Sequence, residues 1–162
     1  MYPERTIYHH ALYGYNQILR DWLERFKFQG DVRMAAAFEK EISQELVPLI
    51  KKGFLLVPVP ISPGRRKERG FNQTEELLRA AGLPYVLLLE KREMDSHQSE
   101  KNRKERMETT QPFYLNSEMV KMTGKKLCLV DDVYTTGRTL YHAMDALESL
   151  HPAEICSFSI AR

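Results

Sequence analysis

The sequence predicts an α/β fold: three layers, α/β/α, around a mostly parallel central sheet. Three observations lead there. Short apolar runs alternate with amphipathic helical patterns along the chain. The strand-like runs are nearly free of charge, as strands covered on both faces are. The stretch Leu127-Cys128-Leu129-Val130-Asp131-Asp132-Val133-Tyr134-Thr135-Thr136-Gly137-Arg138-Thr139 reads as strand, turn and helix start. In such sheets ligands bind beyond the carboxyl ends of the strands.

The elements follow in order. Arg5 to Tyr15, rich in Tyr, Ile and His, begins as an extended segment. Leu19, Trp22, Leu23 and Phe26 recur at helical spacing and make one apolar face. Gln29-Gly30-Asp31 ends that helix and caps a second, whose stripe is Ala35, Phe38, Ile42, Leu46 and Leu49. Pro48 is expected to kink or end it. Phe54 to Val59 is a buried strand, and a polar loop runs from there to about Gly70. Asn72 and Glu75 suit the start of a helix carrying Leu77, Leu78 and Ala81. Tyr85 to Leu89 reads as another strand and Phe113 to Leu115 as a short one. Lys126 to Val130 is the motif strand. Leu140, Ala143, Met144, Leu147 and Leu150 face the core from the following helix, and Ile155 to Ile160 is the last strand.

The 162 residues suit one domain over 1–162, with a helical segment over about 1–53 packed on it. No apolar run reaches membrane-spanning length and the first residues are not a signal peptide, so membrane insertion is not expected. Cys128 and Cys156 both fall in apolar strands; two thiols make neither a disulfide framework nor a four-ligand zinc site. Buried free thiols and a cytoplasmic location are the expectation. Adjacent His9 and His10 point to opposite sides of an extended segment and read as structural. Net charge is +2, unevenly spread. Gly64 to Gly70 carries a local +3 and Lys91 to Arg106 a local +2, which suggests phosphate handling.

The motif run has the parts that a phosphorylated sugar needs. A helix N-terminus offers backbone N–H groups and a partial positive charge. Thr135, Thr136 and Thr139 add hydroxyls, Gly137 lets the backbone approach the ligand, and Arg138 belongs to the same turn. Asp131 and Asp132 lie where they can accept hydrogen bonds from ribose hydroxyls. Neighbours on a strand point to opposite faces, so both reach one ligand only if the chain turns there. The run resembles the phosphoribosyl-pyrophosphate (PRPP) motif of type I phosphoribosyltransferases.

Val57-Pro58-Val59-Pro60-Ile61-Ser62 leaves a buried strand and enters the basic run Pro63-Gly64-Arg65-Arg66-Lys67-Glu68-Arg69-Gly70-Phe71-Asn72-Gln73. Alone, such a run is most often a solvated loop. With Pro58-Val59-Pro60 and Arg69-Gly70-Phe71-Asn72-Gln73 in place, the chain from about Tyr8 to Arg162 resembles the ComF family of competence proteins. That resemblance implies a type I phosphoribosyltransferase-like fold. It also implies PRPP bound with Mg²⁺, the metal held through ligand oxygens and water or by Asp131 or Asp132. Asp131 and Asp132 become the catalytic carboxylates and Thr135 to Thr139 the phosphate turn. Ile61, Ser62, Arg65 and Arg69 become the pyrophosphate loop. Glu90 to about Gln111 has no clear period, which fits a functional loop or disorder equally. By resemblance it is a mobile loop carrying Arg92, Gln98 and Arg106.

The sequence also departs from the family. Many members begin with a four-cysteine zinc module that is absent here, so no zinc is expected and the chain is a short member or a shortened one. Met107-Glu108-Thr109-Thr110 stands where the family often has an asparagine. Nothing identifies an acceptor. The resemblance implies a PRPP-dependent transferase serving DNA uptake beside a DNA translocase. The alternative is a non-catalytic module on the same fold that binds nucleotide or, weakly, single-stranded DNA.

Overall fold

The computed structural model describes residues 8–93, 111–116 and 122–162. Four parallel strands form the central sheet: β1 (Tyr8–Tyr13), β2 (Phe54–Pro58), β5 (Lys126–Val133) and β6 (Glu154–Ala161), in the order β1-β6-β5-β2. β3 (Leu89–Lys91) and β4 (Phe113–Leu115) make a separate antiparallel ribbon.

Side-chain alternation sorts the core into two layers. Phe54, Leu56, Cys128, Val130, Cys156 and Phe158 pack on one side against α1 (Gln17–Phe28), α2 (Glu39–Lys51) and α4 (Gln73–Ala80). Val57, Leu127 and Leu129 pack on the other against α5 (Arg138–Leu147) and the ribbon. The predicted parallel three-layer fold is the observed one. Leu19, Trp22, Leu23 and Phe26 are all buried beneath α1, which Asn16 caps by accepting the Leu19 N–H at 3.0 Å. Cys128 and Cys156 are free, buried and register partners across β5 and β6. His9 and His10 do point opposite ways. His9 meets Ser157 and Ser159, while His10 pairs with Glu45.

Several boundaries differ from the sequence reading. The second helix is two pieces, a 3₁₀ segment (Val32–Phe38) and then α2, so Ala35 and Phe38 precede the α-helix. α2 continues past Pro48 to Lys51. Pro48 lies in the last turn, where losing one N–H costs a single bond, and Lys52 still donates to Pro48 O at 3.2 Å. The polar stretch after Pro60 contains a helix, α3 (Pro63–Arg69). Ser62 accepts from the Arg65 N–H, Pro63 occupies the first turn and Gly70 closes the end at φ +85°. Tyr85 to Leu88 is not a strand: after Pro84 it makes one bond to β2, Val86 N–H to Leu56 O at 2.9 Å. The supposed loop from Glu90 is anchored at both ends. Glu90 and Lys91 belong to β3, and Gln111 donates to His142 O at 2.8 Å.

Candidate active site at the carboxyl edge of the sheet

β5 and β2 deliver their carboxyl ends side by side, and each runs into a helix that starts at that edge. Val59 N–H donates to Val130 O at 2.9 Å, which locks the two exits together.

The motif strand is longer than the sequence suggested. It runs to Val133, so Asp131 and Asp132 are strand residues, 7 % and 4 % exposed, not solvated strand-end carboxylates. The backbone does not turn between them. Each carboxylate accepts the next backbone N–H: Asp132 N–H to Asp131 at 2.9 Å and Val133 N–H to Asp132 at 2.8 Å. They therefore stand on opposite sides of β5 instead of converging. Asp132 forms an ion pair with the Lys27 ammonium near the end of α1 and feels the Arg69 charge. Asp131 lies in the field of Lys91 from the ribbon, which Arg65 also influences. Burial, reinforced by the Asp132 charge, pushes the Asp131 carboxyl up to about 8. Burial likewise holds the Lys91 ammonium below its usual value.

The turn after β5 is built around Gly137, whose φ of +74° and ψ of −7° are left-handed and favour glycine. A Cβ there would sit 2.5 Å from Tyr134 Oη. Tyr134 is itself fixed, its ring stacked on His9 with centroids 4.3 Å apart and the Arg162 guanidinium 5.7 Å from its centroid. Burial and the Arg162 charge lower the His9 pKa to about 4, so this support is a neutral imidazole at physiological pH. Thr135, Thr136, Arg138 and Thr139 are exposed around the buried Gly137, and the Thr136 hydroxyl accepts the Arg138 N–H at 3.5 Å at the start of α5. The five residues read as a phosphate turn thus surround one helix N-terminus.

The turn after β2 is different. Ser62 is buried, and its hydroxyl donates to Glu93 Oε1 at 3.2 Å. Glu93 Oε2 accepts the Gly64 N–H at 2.5 Å. A carboxylate of the chain therefore sits on the first turn of α3. Ile61 is half-buried, Arg65 exposed, and Arg69 half-buried with a hydrogen bond to Gln73. Arg66 is not available to a ligand. It grips buried Glu75 with two bonds of 2.9 and 3.1 Å. Asn72 fixes this loop by donating to Val59 O at 3.1 Å.

Arg92 stands just after the ribbon strand, its N–H bonded to Pro112 O at 2.8 Å and its guanidinium 5.6 Å from the Tyr114 ring centroid. Gln98 and Arg106 lie outside the described residues. The sequence reading missed Lys27, Lys91 and Glu93. Lys27 carried a signal: four residues after Leu23 and next to Phe26, it borders the apolar face of α1. Glu93 carried none. Among the described residues no group of three His, Cys, Asp or Glu side chains gathers to hold a metal. Among them too, no helix is long and apolar enough to cross a membrane.

This geometry can be set beside known proteins. The phosphoribosyl transferase domain family matches residues 67–162. A "Competence protein ComFC" of Streptococcus pneumoniae is 41% identical over 154 residues, 95% of this chain and 68% of the relative. A Bacillus subtilis protein of the same name is 35% identical over 156 residues, 94% of this chain and 63% of the relative. The chain thus spans about two-thirds of the length of these curated relatives. Among solved structures, the allosteric regulatory enzyme of purine biosynthesis superposes with a TM-score of 0.53 at 17% identity, over 85% of this chain and 30% of that one. That last likeness is one of fold.

Proposed function

The chain belongs to the ComF family of phosphoribosyltransferase-like proteins, and on that premise we propose that it binds PRPP with Mg²⁺ and transfers the phosphoribosyl group. One observation carries the reading: two helices start at adjacent strand exits, and the strand that leads into the second carries Asp131 and Asp132 near its end. PRPP has that shape, a 5′-phosphate at one end, a ribose in the middle and a pyrophosphate at the other.

The 5′-phosphate takes the turn Thr135 to Thr139, where exposed threonines surround a helix start, and displaces the Thr136 hydroxyl from the Arg138 N–H. The ribose lies over the end of β5. Asp132, paired with Lys27, accepts from a ribose hydroxyl, and Asp131, raised by burial, offers a neutral carboxyl near pH 7. The pyrophosphate takes the turn after Pro60, beside Arg65 and Arg69, and displaces Glu93 from the Gly64 N–H. As the bond to the anomeric carbon breaks, positive charge grows on the sugar and negative charge on the leaving group. The Asp132 carboxylate would stand on the sugar's side and the α3 cations on that of the leaving group. Mg²⁺ bound together with PRPP would supply charge neutralisation for the leaving group, with Asp131 or Asp132 the carboxylates of the chain that would help to hold it. The residues present fit an ion held that way: Asp131 and Asp132 are single carboxylates on opposite sides of β5, and among the described residues no group of three ligating side chains gathers.

The names of the relatives support a role in competence; a place in the cytoplasm beside a DNA translocase is part of the same proposal and rests on the family resemblance. Two experiments test the proposal. Calorimetric titration with PRPP and Mg²⁺ is expected to saturate one site, and pyrophosphate release is expected once an acceptor is supplied. Deleting the gene is expected to lower transformation frequency, and Asp131→Asn with Asp132→Asn not to restore it. No binding of PRPP at millimolar concentration would refute the transferase.

A further inference from the structure

We propose that Cys156 and Cys128 form a reversible redox pair, in which a hydroperoxide oxidises Cys156 and Cys128 closes a disulfide. They sit in the amino halves of β6 and β5, away from the carboxyl edge, and the inference does not depend on the phosphoribosyl reading. They are the only cysteines of the chain. They are register partners on adjacent parallel strands, and both side chains face the layer of α1, α2 and α4. Neighbouring strands lie about 4.8 Å apart, inside the Cα separation of about 4.4–6.8 Å that a disulfide spans. The Cβ atoms of such partners stand about as far apart as the strands, a little beyond the usual disulfide span of about 3.5–4.5 Å. The bridge is therefore strained and readily reduced.

The two thiols are not equivalent. Cys128 is fully enclosed, with 0 % of its surface exposed. Cys156, 6 % exposed, lines a groove of about 700 Å³ between α2 and the amino ends of the strands, beside Phe54, Phe158, Pro48 and Leu49. A small peroxide reaches the Cys156 sulfur from that groove and cannot reach Cys128. The Cys128 thiol also donates a hydrogen bond to the Cys156 sulfur. That bond lowers the Cys156 pKa against the opposing effect of burial, and together with burial it raises that of Cys128. Cys156 is thus both the reachable thiol and the more easily ionised one, while Cys128 stands behind it with its proton. An attacking and a resolving thiol divide their roles in the same way.

With hydrogen peroxide as the oxidant, the Cys156 sulfur attacks one peroxide oxygen and the O–O bond breaks. The leaving oxygen takes that electron pair and the Cys156 thiol proton and departs as water. Cys156 is oxidised to a sulfenic acid and the peroxide is reduced. The Cys128 sulfur then attacks the Cys156 sulfur. The S–S bond forms, the S–O bond breaks, and the hydroxide leaves as water with the Cys128 proton. Two thiols and one hydrogen peroxide give one disulfide and two waters.

The test exposes the native chain to hydrogen peroxide, then unfolds it in an alkylating agent and measures its mass. Cys128→Ala and Cys156→Ala are treated alike. The wild-type chain is expected to lose both free thiols and the mass of two hydrogens while remaining a single chain, and to recover both thiols in dithiothreitol. Cys128→Ala is expected to stop at the sulfenic acid, which dimedone traps on Cys156. Cys156→Ala is expected to lose its remaining thiol at least about tenfold more slowly than the wild type. The wild-type measurement needs no variant, so it decides the matter even if a substitution prevents folding. The proposal is overturned if the native thiols survive a peroxide treatment that oxidises free glutathione, or if they react only once urea has unfolded the chain. It also falls if the bridge joins two chains, if Cys156→Ala reacts as fast as the wild type, or if wild-type Cys156 passes to the sulfinic acid with no bridge formed.

Discussion

Two helices begin at the same edge of the sheet, and they begin differently. α5 starts at a left-handed glycine ringed by exposed threonines, one of which, Thr136, accepts the Arg138 N–H at 3.5 Å. α3 starts at a buried serine, and the chain's own Glu93 carboxylate already rests on its first turn. One helix start meets only a neutral hydroxyl of the chain; the other holds the chain's own carboxylate. On the proposed PRPP reading the two ends would be taken up unequally, the phosphate end displacing a hydroxyl and the pyrophosphate end a carboxylate.

The comparison breaks most sharply at Gly137. Gly137→Val forces a branched side chain to φ +74° and against Tyr134. We expect a loss of about 2 kcal/mol in stability and of roughly a hundredfold or more in PRPP affinity, checked by urea unfolding and calorimetry.

Next comes the ion pair that holds Asp132. Lys27→Met leaves a buried carboxylate without its cation and is expected to cost about 2 kcal/mol, below the full value for a buried pair because Lys27 is partly exposed. Adding Asp132→Asn should recover part of the loss in a double-mutant cycle. Full additivity would show that the two residues are independent.

Asp131 sharpens the account through pH. Its native pKa, about 8, lies above the unfolded value, so the native state binds the extra proton between about pH 4 and pH 8. Its contribution is complete below the unfolded value and is lost as pH rises through the native one. His9 acts oppositely: its pKa is lowered to about 4, and its contribution is lost as pH falls from the usual imidazole value through 4. Asp131→Asn should therefore flatten the decline in stability from pH 6.5 to 8.5 in denaturant titrations, and His9→Gln should flatten the decline below pH 6.5.

The smallest effect belongs to the internal carboxylate. Glu93→Ala vacates the Gly64 N–H and should tighten pyrophosphate binding by about threefold to tenfold, with ribose 5-phosphate unaffected.

These tests touch residues of unequal legibility. The α1 face, the motif strand and the Thr135 to Thr139 turn could be read from the chain because local periodicity and turn chemistry specify them. The α3 helix could have been read too, from Ser62, Pro63 and Gly70, but the density of charge between them suggested a loop. The split of the second helix at Phe38 and the loss of a strand over Tyr85 to Leu88 depend on what those segments pack against, which no local pattern encodes. The pairing of buried Asp132 depends on Lys27, which lies about a hundred residues earlier in the chain and outside the matched family domain. The contact of Glu93 with Gly64 is likewise a product of the fold alone.

The most direct measurement is a pair of titrations followed at backbone amides by NMR. Ribose 5-phosphate is predicted to shift the amides of Thr136 to Thr139 and leave Gly64 and Arg65 in place. Pyrophosphate with Mg²⁺ is predicted to shift Gly64 and Arg65 and leave the other turn in place. If both ligands moved the same turn, or neither moved any, the two helix starts would not be the two ends of one PRPP site.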